Sequence, residues 1–227
     1  MPSYRHGYAD LPALIARMTG DEKHAEASAS TLDVLWVLYS RVLNVTPAME
    51  GDRDRFYLSK GHGPMAYYAV LAAMGFIEPA ELDQFAAFRS LLGWHPDRVL
   101  VPGAEISSGS LGHGLPLAVG TALGLRARGL SDSRVWVLIG DGELDEGSNH
   151  EAIAFSGRAK LDQLNAIVID NASATHGWPG GIETRFALEG WSADRVNSTD
   201  HQALEEAFVR RHPGQPGLVV ATVVSRA

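Results

Sequence analysis

At 227 residues the chain is long enough to bury a sizeable core as one domain, 1–227. Its net charge of −8 argues against a nucleic-acid partner, and the absence of cysteine excludes disulfides and zinc–thiolate centres. No apolar run approaches the roughly 20 residues of a membrane span, and the opening MPSYRHGYADLP lacks the apolar core of a secretory signal, so a cytoplasmic protein is expected.

Helical periodicity dominates the first half. In STLDVLWVLYSRVL the residues Leu32, Leu35, Trp36, Tyr39 and Val42 share one face, and in GPMAYYAVLAAMGF so do Met65, Tyr68, Ala69, Ala72 and Phe76. Pro79 opens a further expected helix, with Glu81 and Asp83 in its first turn. The glycine-rich loop SSGSLGHG (107–114) then leads into the small-residue helix LPLAVGTALGLRARG. The second half changes rhythm. VWVLI (135–139), NAIVI (165–169) and LVVATVV (218–224) are continuous β-branched runs of the kind that form parallel strands covered on both faces. Helical stretches separate them: EAIAFSGRAK, and HQALEEAFVRR with Ser198, Thr199 and Asp200 as capping candidates. The alternation predicts an α/β fold, a mostly parallel sheet with helices on both faces.

Directly after VWVLI, Asp141, Glu143, Asp145 and Glu146 crowd into LIGDGELDEGSN. In open parallel sheets ligands bind beyond the carboxyl ends of the strands. Asp141 follows one predicted strand and Asn171 the next, so both side chains reach one crevice if the strands are neighbours. A carboxylate oxygen with an amide oxygen is a hard donor set, suited to Mg²⁺ or Ca²⁺, and Mg²⁺ commonly shares its sphere with phosphates. Gly140 and Gly142 would let backbone approach a diphosphate closely. On its own, GDG after a strand is more often only a turn. An EF-hand is excluded, because Glu146 and Ala152 stand where that loop needs Gly and Glu. GDGELDEG also fails the dinucleotide fingerprint.

The stretch GDGELDEGSNHEAIAFSGRAKLDQLNAIVIDN resembles the thiamine-diphosphate signature in its transketolase form. DEKHAEASASTLDVLWVLY, DRFYLSKGHGPMAYYAVL, PGAEISSGSLGHGLPLAVG and GWSADRVNSTDHQAL resemble further segments of that family in unbroken order over residues 20 to 224. The resemblance implies the thiamine-diphosphate-binding fold. It implies that Asp141 and Asn171 coordinate Mg²⁺ with the main-chain carbonyl of Ser173. His62, Gly142 and the loop around Gly109 and Leu111 would contact thiamine diphosphate, while Glu146 and Glu151 match acidic positions near a subunit interface, Glu146 being counted with the cofactor site. His24, His62 and His95 would line the channel for sugar hydroxyls and move protons near neutrality. Glu143 and Asp145 stand evenly between solvated and functional readings. His113 is either a substrate donor or only a cap for the helix that follows.

The same resemblance implies half an enzyme: the diphosphate-binding subunit of a split transketolase, needing a separate pyrimidine-binding subunit in an α2β2 assembly and acting on sugar or sugar-phosphate substrates. The segment Ala174–Gly181 departs from the family pattern close to the expected thiazolium position, and the chain ends at SRA, before a further family histidine. Both put the ordinary pentose-phosphate substrates in question. The competing expectations are a subunit of a thiamine-dependent 2-oxo-acid decarboxylase or dehydrogenase, and a non-catalytic binding subunit that keeps the fold.

Overall fold

The three β-branched runs form the middle of one parallel sheet. The computed structural model describes residues 6–20 and 25–223, with side chains of 25–27 excepted. Strands β1 (Arg55–Leu58), β2 (Val135–Gly140), β3 (Leu164–Asp170), β4 (Ser192–Asn197) and β5 (Gly217–Thr222) pair in the order β1-β2-β3-β5-β4, every pair parallel. The helices are α1 (Leu11–Ile15), α2 (Ala25–Val37), α3 (Met65–Ala73), α4 (Gly114–Ala127), α5 (Gly147–Arg158), α6 (Ile182–Leu188) and α7 (His201–Val209). A five-residue π-turn, Leu38–Val42, prolongs α2.

Because side chains alternate along a strand, each β-branched run feeds two cores. Phe56, Leu58, Trp136, Leu138, Ile167, Ile169, Val219 and Ala221 point to the face covered by α1, α2, α3 and α7. Tyr57, Val135, Val137, Ile139, Ala166, Val168, Leu218 and Val220 point to the face covered by α4, α5 and α6. Every residue of β2 is buried, which is why its sequence shows no alternation.

Several expectations are corrected. The segment opened by Pro79 is only a 3-10 turn, Pro79–Gln84. The helix expected at EAIAFSGRAK starts four residues earlier, at Gly147. Strands β1 and β4 carry no β-branched run. β1 is four residues long, and β4 (SADRVN) is an edge strand without a buried residue, tolerated because only one neighbour pairs with it. Among the capping candidates Asp200 forms the cap, accepting from the backbone N–H groups of Gln202 and Ala203. Since all strands run the same way, their carboxyl ends lie along one edge, and each is followed directly by a segment singled out above.

Candidate active site at the strand carboxyl ends

The β2–β3 register pairs Gly140 with Ile169, and the Asp141 N–H donates to the Ile169 carbonyl at 3.0 Å. Asp141 and the residues after β3 therefore emerge side by side. The Asp141 carboxylate is 1% exposed. One oxygen accepts from the Gly142 N–H (2.8 Å) and the Ser173 hydroxyl (2.5 Å); the other accepts from the N–H groups of Ser173 (2.7 Å) and Ala174 (3.2 Å). The turn after β3 thus folds over Asp141 through Ser173. Ala172 reaches this turn in the left-handed region (φ 58°), a conformation that strains a residue with a Cβ. Asn171 itself is exposed. A Cβ on Gly142 would stand 3.5 Å from the Ser173 carbonyl oxygen, so the missing side chain leaves that oxygen open to the crevice.

Glu143 is not solvated. It is 3% exposed and bonded to the Ser59 hydroxyl, the Gly112 N–H (2.9 Å) and the Gly140 N–H (3.4 Å). Burial pushes its carboxyl above the usual range, while these donors pull the other way. Asp145 is half-buried, and Glu146 and Glu151 are exposed. Lys60, just beyond β1, extends the ladder by donating its N–H to the Leu138 carbonyl at 3.1 Å. Its stem crosses Gly140, with Cγ and Cδ each 3.6 Å from where a Cβ would be. Burial draws its ammonium down to about 8, opposed by Asp141 and Glu143. This cation was missed in the sequence because β1 was missed; the rule that located Asp141 beyond β2 locates Lys60 beyond β1.

The glycine-rich loop packs against the same edge. Gly109 (φ 128°) lies against His95, whose ring carbons would be 3.0 and 3.1 Å from an added Cβ. His62 and His95 meet edge to face, 5.4 Å between centroids, and both are exposed. Leu111 is also at the surface. The Ser108 hydroxyl is buried without a hydrogen-bond partner among the described residues, an unmet polar group beside Gly61 and the histidine that follows it. His113 makes no side-chain capping bond to α4, which removes the capping reading. In the divergent segment Trp178 stacks on His150, 5.3 Å apart and 9° from parallel. His24 lies outside the described residues. No group of three His, Asp or Glu side chains suits a metal among the described residues, so any cation here depends on amide and carbonyl oxygens as well. Two surface depressions, about 370 Å³ beside Arg126 and Arg211 and about 420 Å³ beside Arg53 and Glu105, lie elsewhere.

The glycine-rich loop, GDG turn and post-β3 turn converge on one sheet edge. The family model described as "Transketolase, thiamine diphosphate binding domain" matches residues 18–225. The chain belongs to the transketolase family. Among curated relatives, "Ferredoxin fas2" of Rhodococcoides fascians is 59% identical over 222 residues, covering 97% of this chain and 73% of that protein. An apulose-4-phosphate transketolase subunit of Actinobacillus succinogenes is 35% identical over 213 residues, covering 90% and 77%. The solved transketolase of Pichia stipitis superposes with a TM-score of 0.79 at 26% identity, over 95% of this chain and 35% of that one. The chain therefore spans about a third of the solved transketolase. Its parallel sheet is the thiamine-diphosphate-binding α/β fold. No helix among the described residues is long and apolar enough to cross a membrane.

Proposed function

We propose that the chain, as one domain, is the diphosphate- and Mg²⁺-binding subunit of a cytoplasmic transketolase that moves a two-carbon ketol unit between sugar or sugar-phosphate substrates. A separate pyrimidine-binding subunit completes it, in an α2β2 assembly. The observation that carries this reading is the meeting of buried Asp141 with the Ser173 turn across adjacent strand ends. The donor set fits the metal: a carboxylate, an amide side chain and a carbonyl are hard oxygen ligands. Of the four donors on Asp141, the Ser173 hydroxyl is the one on a rotatable side chain, and its rotation would free a lone pair for a cation. Support for a partner comes from the Actinobacillus relative, which is named as one of the subunits of its transketolase.

In this reading Asp141, Asn171 and the Ser173 carbonyl hold Mg²⁺. His62, Gly142, Gly109 and Leu111 contact the cofactor, and Lys60 adds positive charge beside its diphosphate. When bound, thiamine diphosphate supplies a nucleophilic thiazolium carbon. His24, His62 and His95 orient the sugar and move protons at its hydroxyls, as imidazoles do near neutrality, and His113 donates to substrate. Glu146 and Glu151 face the partner chain from the exposed side of the turn and α5. The test is a coupled assay with a ketose-phosphate donor and an aldose acceptor, using this chain with and without its co-purifying partner. Turnover is expected only with both, and robust turnover by this chain alone would refute the split-enzyme reading.

A second reading rests on the word "ferredoxin" in one relative's name, which suits thiamine-dependent oxidation of a 2-oxo acid. This chain has no cysteine for an iron–sulfur cluster, so an iron–sulfur acceptor would lie outside it. Reduction of a dye acceptor by a 2-oxo acid in the same two-chain preparation would favour that reading.

A further inference from the structure

Glu143 holds no cation in the reading above, yet its carboxylate links more of the site than that of Asp141. One oxygen accepts from the Ser59 hydroxyl and from the Gly112 N–H at 2.9 Å; the other accepts from the Gly140 N–H at 3.4 Å. Ser59 in turn accepts from the Gly114 N–H at 2.9 Å, and the Glu143 carbonyl accepts from the Asn149 amide at 2.7 Å. A single residue thus ties the ends of β1 and β2 to the glycine-rich loop and the start of α5. Two of these partners are 84 and 31 residues away in sequence. There is little slack around it: a Cβ on Gly114 would stand 2.2 Å from the Ser59 Cβ, and one on Gly112 would stand 2.6 Å from the Ser148 hydroxyl. Burying a carboxylate is costly unless its oxygens are engaged, and an apolar side chain would fill the same space without that cost. The charge at this position is therefore accounted for by what it orients.

We propose that Glu143 is a positioning residue that locks the backbone of residues 109–114 against the GDG turn, so that the loop and Asp141 form one preformed cradle for a diphosphate. The proposal rests on the thiamine-diphosphate reading above. In this arrangement the two neighbouring acids divide the work: Asp141 faces the ligand, and Glu143 faces inward and holds the loop. Pre-ordering of this kind raises affinity by removing the entropy that loop closure would otherwise cost.

The test uses the chain together with its co-purifying partner, with amide hydrogen exchange of this chain read segment by segment and calorimetric titration with Mg²⁺–thiamine diphosphate. In Glu143→Ala, exchange across 109–114 should rise about tenfold or more while 135–139 keeps its protection, and the dissociation constant should rise about tenfold. Glu143→Gln retains an oxygen that can accept from Ser59 and Gly112 and turns its amide NH2 toward only the long 3.4 Å contact with the Gly140 N–H, so both readouts should stay within about threefold of wild type. Unchanged protection of 109–114 in Glu143→Ala would overturn the proposal, as would a Gln variant as impaired as the Ala variant. Should Glu143→Ala not fold, Ser59→Ala carries the test: it removes the bridge to Gly114, and unchanged loop exchange there would also overturn it. Failure of the wild-type chain to bind Mg²⁺–thiamine diphosphate in the presence of its co-purifying partner overturns the cofactor reading and the cradle with it, whatever the loop exchange shows.

Discussion

The two ends of the sheet bury acids in different ways. At the amino end Asp54, 2% exposed, accepts from the N–H groups of Asn44 (3.0 Å) and Arg134 (2.7 Å) and pairs with the Arg134 guanidinium. Arg134 also donates to the Val42 and Phe208 carbonyls and lies over Trp136. Arg53 meets Glu105 through two parallel hydrogen bonds of 2.7 and 2.9 Å. Each buried acid there has a guanidinium partner. At the carboxyl end, Asp141 and Glu143 are engaged by backbone N–H groups and serine hydroxyls, and both carboxylates act on the Lys60 ammonium. The difference is that one end pairs its buried carboxylates with guanidinium groups that hold the fold, and the other engages them with backbone N–H groups and hydroxyls at the edge where a ligand would bind.

The same substitution at both ends should separate these roles. Asp54→Asn leaves the half-buried Arg134 guanidinium uncompensated and should cost about 3 kcal/mol of unfolding free energy by urea denaturation. Asp141→Asn removes no guanidinium pairing but turns an amide NH2 toward two of the four donors, so it should cost about 1–2 kcal/mol, less than Asp54→Asn, while abolishing Mg²⁺-dependent cofactor binding. Equal stability losses would erase the contrast. Between these lies Gly114→Ala, whose new methyl would collide with Ser59; about 1–3 kcal/mol is expected, together with faster exchange in the glycine-rich loop.

How much of this was legible in the sequence follows from what each signal needs. Strands β2, β3 and β5 were readable because burial on both faces demands uninterrupted apolar residues. Strand β4 was not, because an edge strand with partly exposed side chains has no such demand, and β1 was too short to show a pattern. Asp141 and Asn171 could be proposed together because each follows a readable strand, and the register sets those strands side by side. Glu143 could be read only as an acid among acids: its partners Ser59 and Gly112 lie far away in sequence, and no spacing announces them. Lys60 was hidden for the same reason as β1. The histidine pairing of His62 with His95 came from family likeness, since nothing local in LSKGHG or LGWHPDR brings the two rings together.

The smallest expected effect concerns the outer rim of the carboxyl end. Arg195 of β4 bonds Glu183 of α6 and Asp170 at the end of β3, and this pairing holds the Glu183 carboxyl below its usual range. A depressed carboxylate adds stability that is present above its unfolded pKa and is lost as pH falls through the lower folded value. Glu183→Gln should therefore cost about 0.5–1 kcal/mol at pH 7, modest because the pair is partly exposed. That difference should shrink steadily below the ordinary glutamate pKa, as followed by denaturation at stepped pH. A pH-independent difference would assign the loss to packing instead of charge.

The most direct test of the cation site is the Mg²⁺ dependence of thiamine diphosphate binding, measured by calorimetry on wild type and Asp141→Asn side by side. Saturating Mg²⁺ should tighten wild-type binding by at least about tenfold and leave the variant unchanged. Equal Mg²⁺ dependence in the two proteins would contradict a metal held between Asp141 and the turn after β3.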